Sequence, residues 1–123
     1  MNTNLNSSRR FASALLLGLV LAGGAAAQTA SPADLAQRAE AARTKGDYEA
    51  LAADYDKQAA AARSIAAQHR KMAKDFQAMV ASGRGGASMP AHCNAIAGKN
   101  EGLAKDYDAM AAGYRQLAAK AQP

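Results

Sequence analysis

Met79, Met89, His92 and Cys93 stand within fifteen positions of one another, around a glycine-rich break in the chain. Thioether, imidazole and thiolate are together the donor set that suits Cu(I), so these four residues form a candidate soft-metal site, with copper as the implied cofactor. Met72 and His69 lie one and two steps deeper along the same face. Cys93 would sit in the first turn of a helix, where unpaired backbone N–H groups favour an anion. Each residue also has a plain structural reading. Met72 and Met79 fit a helix core, His69 a helix interface, His92 an exposed first turn, and Cys93 a small buried position. A lone cysteine in an oxidising compartment can also join two chains through a bridge. No glycine-rich phosphate loop, nucleophile elbow or paired-cysteine motif is present, and the acids alternate with Lys and Arg on solvated faces. No catalytic residue is expected, and the chain reads as a non-enzyme.

The elements that must position these residues are helical. Ser31-Pro32-Ala33-Asp34 has the pattern of a helix start, with a capping serine, proline at N1 and an acid at N3. A short helix is expected from about Pro32 to Thr44, with Gly46-Asp47 ending it and capping the next. From Asp47 to Ala81 there is neither proline nor glycine. Tyr48, Leu51, Tyr55, Gln58, Ala62, Ile65, His69, Met72, Phe76 and Met79 recur there at alternating spacings of three and four, an a/d heptad register. Residues 82–89 read as a flexible loop. Pro90 then opens a second long helix, to about Ala121, with Cys93, Ile96, Asn100, Leu103, Tyr107, Met110, Tyr114 and Leu117 in the same register. The fold class is therefore all-α, a long antiparallel hairpin with a short N-terminal helix.

A second stripe accompanies the first. Ala52, Ala59, Ala66 and Ala73 recur every seven residues, as do Ala97, Ala104, Ala111 and Ala118, all at e positions that face each other in an antiparallel pair. Centring the loop near residue 86 pairs core positions whose numbers sum to 172, which places Met79 beside Cys93, Phe76 beside Ile96 and Tyr55 beside Leu117. The same register brings Asp75 near Lys99 and Asp54 near Lys120. The two helices also match weakly at an offset of 45 residues, a pattern that alanine-rich heptads readily produce.

The first 27 residues have the composition of an export signal. Arg9 and Arg10 are followed by an apolar run from Phe11 to Leu21 and by a small-residue tail ending Ala25-Ala26-Ala27, which sets the expected cleavage before Gln28. The apolar run is far shorter than the roughly 20 residues needed to span a bilayer. No cysteine follows it to take a lipid. The expected location is the periplasm or the exterior, with no membrane span in the processed chain. Processing removes two of the 15 Lys and Arg residues and lowers the net charge from +5 to +3. The remaining charges alternate in sign, which argues against nucleic acid as a partner.

With Gln68-His69-Arg70-Lys71-Met72-Ala73 followed by Met89-Pro90-Ala91-His92-Cys93, the chain resembles small exported helical proteins of Gram-negative bacteria that carry an HRxMA helix and a later HC helix. The resemblance covers roughly Tyr48 to Lys120 and implies an exported helical fold without an assigned activity. Thr44 to Leu51 is similar to the turn of a tetratricopeptide repeat, but that architecture stacks units of about 34 residues, and one helix here alone runs that long. One hairpin has a thin interior, and pairing two into a four-helix bundle would bury more surface. Tyr48, Tyr55, Tyr107 and Tyr114 are candidates for such a contact. The expected function is association with itself or with another periplasmic protein. The alternative is copper binding at the loop end.

Overall fold

The structure is a computed structural model that describes residues 29–122. The leader expected over residues 1–27, with its cleavage site, lies outside them. Three helices follow in order: α1 (Pro32–Ala41), α2 (Lys45–Ala81) and α3 (Met89–Lys120). α2 and α3 pack along their whole length as an antiparallel hairpin, and α1 lies mainly against α2, with Tyr114 of α3 packed on the same cluster. The fold is the all-α hairpin that the heptads require. No helix among the described residues is long and apolar enough to cross a membrane.

The local chemistry sets where each helix begins and ends. Ser31 caps α1 in a box with Asp34, as its spacing implies. α1 stops at Ala41, three residues short of the expected end, and the next cap is Thr44 instead of Gly46-Asp47. Thr44 Oγ1 accepts from the Asp47 N–H, and the Asp47 carboxylate accepts from the Thr44 N–H (2.9 Å) and the Arg43 N–H (3.0 Å). Gly46 therefore lies inside the first turn of α2. α2 ends in a Schellman motif: Gly83 has φ +73°, and the Arg84 and Gly83 N–H groups close onto the Met79 and Val80 carbonyls. Gly85 follows where a Cβ would lie 3.2 Å from the Val80 nitrogen, so the loop packs tightly onto the end of α2.

The core corrects the expected seam. All eight e-position alanines are buried, with Ala59, Ala97 and Ala111 fully so. Apart from Leu51, which α1 covers, the large d-position side chains are not: Ile65, Met72, Met79, Met89, Ile96, Leu103, Met110 and Leu117 are each 39–45% exposed. The a positions are buried or half-buried. Residues advance 100° each around a helix, so a column at e sits about 40° from a and 100° from d. The two helices thus meet along their alanines, the a side chains fill the shallow trough beside the contact, and the d side chains stand along its two walls. Methyl groups on both sides let the backbones approach closely. Leucine or methionine there would hold them apart.

The opposite flank carries charge at the b positions. Arg70 forms a two-pronged pair with Glu101 at 2.7 Å for each bond, and Arg63 pairs with Asp108 and Arg115 with Asp56. The numbers in each pair sum to 171, which keeps the expected seven-residue alignment but shifts the core partners by three: Tyr55 stacks on Tyr114 where Leu117 was expected, and by the same register Phe76 instead of Met79 lies level with Cys93. The expected partners of two acids are corrected: Asp75 pairs with Lys71 within its own helix, and Asp54 with Arg38 and Lys57. In both cases a nearer cation is available on the same side of the molecule. Exposed pairs of this kind fix register more than they add stability.

Two outcomes follow. Ala111→Leu should lower stability in urea unfolding by about 1–3 kcal/mol through overpacking, while Ala60→Leu on the exposed side of α2 should be nearly neutral. The backbone N–H groups of Arg43 and Thr44 hold the Asp47 carboxyl below its ordinary value of 3.8. A depressed folded-state value contributes stability above the unfolded-state pKa and loses it as pH falls through the folded one. Asp47→Ala should therefore lower Tm at pH 7, with the gap to the parent chain closing below about pH 3.8.

Candidate functional site

The a and d positions of both helices form one continuous face. At its base, α1 covers part of it: Leu35, Ala42 and Leu51 form a buried cluster, with Tyr48, Tyr55, Tyr114, Ala30 and Ala39 packed around it. Arg38 of α1 pairs with Asp54, which holds that carboxyl below the usual range. Gln58 Nε2 donates to the Ala30 carbonyl at 2.6 Å, which pins the start of α1 at the level of Gln58. From there to the loop, no described residue lies over the face.

The four candidate tyrosines gather at this base, within one chain. Tyr55 and Tyr114 stack at 5.5 Å, Tyr48 and Tyr114 at 6.4 Å, and Tyr55 and Tyr107 meet tilted at 6.0 Å. Burial pushes the Tyr55 hydroxyl above its usual pKa, and the neighbouring Tyr114 and Tyr107 add to it. Tyr48 donates from its hydroxyl to the Ala42 carbonyl. All four are half-buried, so much of their area is already used in joining α2, α3 and α1.

At the other end, Met79 and Met89 both flank the loop, with Gly85 against Met79 and Gly86 near Met89. Cys93 is a free thiol, 3% exposed, in the a row of α3. His92 is exposed. Adjacent helical residues diverge by about 100°, so the imidazole and thiol point to different sides of α3. Among the described residues, no group of three or more His, Cys, Asp or Glu side chains could hold a metal ion. His69, deeper on the face, keeps a buried Nδ1 with no hydrogen-bond partner among the described residues.

The feature that the heptad reading leaves out is the exposure of the d row. Its residues were visible as an apolar file, but which file closes the hairpin depends on the competing alanine column. No family model, curated protein or solved structure matches this chain.

Burial of Cys93 has a direct consequence for its chemistry. A thiol-specific reagent such as Ellman's should modify it at least ~100-fold more slowly in the native chain than in urea, because reaction requires local opening. Equal rates would place the thiol at the surface.

Proposed function

We propose that this chain is an exported, non-enzymatic helical hairpin that acts by association through its a/d face, with itself or with another periplasmic protein. One observation carries the reading: eight large apolar side chains, spaced by sevens on two adjacent helices, all remain about two-fifths exposed on a single face. Scattered surface leucines are ordinary, but a contiguous file of this length marks a surface that meets another apolar surface. The opposite flank supports the same division of labour. Its arginines and acids neutralise one another across the helices and leave no basic stripe for nucleic acid.

The reading is tested in cells that export the full chain. A photoreactive benzoylphenylalanine in place of Met72 or Leu103 should yield cross-linked adducts in the osmotic-shock fraction, and the same group in place of Lys74 on the far side should yield few. Adducts at Lys74 as abundant as those from the face, or none from the face, would contradict it.

A further inference from the structure

We propose that the occupant of the open face is a second copy of this chain, packed face to face and antiparallel about a two-fold axis at the His69/Asn100 layer. The inference rests on the association reading and gives it a partner and a geometry.

The placement of α1 decides the orientation. It covers the base of the face, between the levels of Tyr48 and Gln58, and leaves the stretch from Ala62 to Met79 open. Two copies packed with their loops at the same end would bring α1 against α1 and hold the rest of the faces apart. Reversing one copy removes that clash. The loop end of each hairpin then reaches the level of Gln58 on the other and stops where the other's α1 begins, so the open stretch on each copy matches the open stretch on its mate in length.

The side chains agree with this register. The Tyr55–Tyr114 stack and the seven-residue repeat place Ala62 level with Tyr107, His69 with Asn100, and Phe76 with Cys93. Turning a copy about the His69/Asn100 layer sets half-buried Phe76 of the second copy over the recessed Ala62 layer and its Tyr107 over the recessed Cys93 layer, large over small on both helices. Met72 meets Ile65 of the second copy, Ile96 meets its Leu103, and Met89 meets its Met110. His69, whose Nδ1 has no partner among the described residues, lies at the axis beside its own counterpart, where a polar layer can fix the alignment of an otherwise apolar contact.

The area is sufficient. The seven large d side chains that enter the contact, Ile65, Met72, Met79, Met89, Ile96, Leu103 and Met110, each about 40% exposed, together with half-buried Phe76, offer on the order of 500 Å² per copy. Pairing removes roughly 1,000 Å² in total, the lower bound for a specific interface, so a reversible dimer is expected.

The experiment uses residues 28–123, which contain every described helix. Sedimentation velocity over a concentration series should show a monomer–dimer equilibrium that Leu103→Glu shifts to monomer by at least tenfold in Kd. Far-UV circular dichroism should stay unchanged, because Leu103 is exposed within one hairpin. For orientation, a nitroxide on Ala87→Cys in a Cys93→Ala background should give a label separation of about 40 Å, from two helical stretches of more than ten residues each at 1.5 Å per residue. A separation under about 20 Å would put the loops together and overturn the antiparallel arrangement. A monomer at every concentration, with adducts of other masses still forming at Met72 and Leu103 in cells, would overturn the second copy and leave the binding face in place. A monomer with no such adducts would overturn both.

Discussion

The approach of two alanine columns governs this molecule. Ala52, Ala59, Ala66 and Ala73 on α2 and Ala97, Ala104, Ala111 and Ala118 on α3 are all at most 3% exposed, and nothing larger than a methyl group separates the helices along that line. A close contact of this kind gains dispersion energy between backbones and excludes water without needing large side chains. It also costs something specific. Once the helices turn their e positions toward each other, their d positions must point away from the contact, because the two rows are fixed about 100° apart on the same helix.

The other features of the fold follow from that rotation. The b positions come onto one flank, where Arg70 meets Glu101 and Arg63 meets Asp108. The a positions come into the trough on the other, where the tyrosines stack at the base and Cys93 is enclosed near the loop. The d positions become the walls of an apolar face, and α1 closes one end of that face with Leu35 and Ala42. A single hairpin is thus closed on its alanine side and open on its methionine and leucine side.

Much of this was legible in the sequence. The caps at Ser31 and the helix break at residues 82–88 follow from residue types whose local hydrogen bonding and backbone freedom are strongly directive. The pairing of α2 with α3 follows from loop length, and the register from where the loop is centred. Which stripe lies inside does not follow from hydrophobic spacing alone, because the a/d and e files are both apolar and both keep a seven-residue period. Size separates them: eight alanines permit a closer axis-to-axis distance than any pairing of methionine with leucine, and the gain from that approach outweighs the exposure left at d. Of the soft-metal candidates, Met79, Met89, His92 and Cys93 stand near the loop in sequence, and the exposure of His92 beside the burial of Cys93 is a matter of helical phase that spacing along the chain does not express.

Methyl NMR with a soluble paramagnetic agent tests the central claim most directly, because methionine and alanine methyl groups report the two stripes at once. If the hairpin closes on its alanines, the Ala59 and Ala111 methyls stay protected at every concentration. The Met72, Met79 and Met89 methyls are then strongly relaxed in dilute protein and gain protection as it is concentrated. Methionine methyls protected even at the highest dilution, with relaxation at Ala59 and Ala111, would mean that the helices close on the a/d seam and that the open face does not exist.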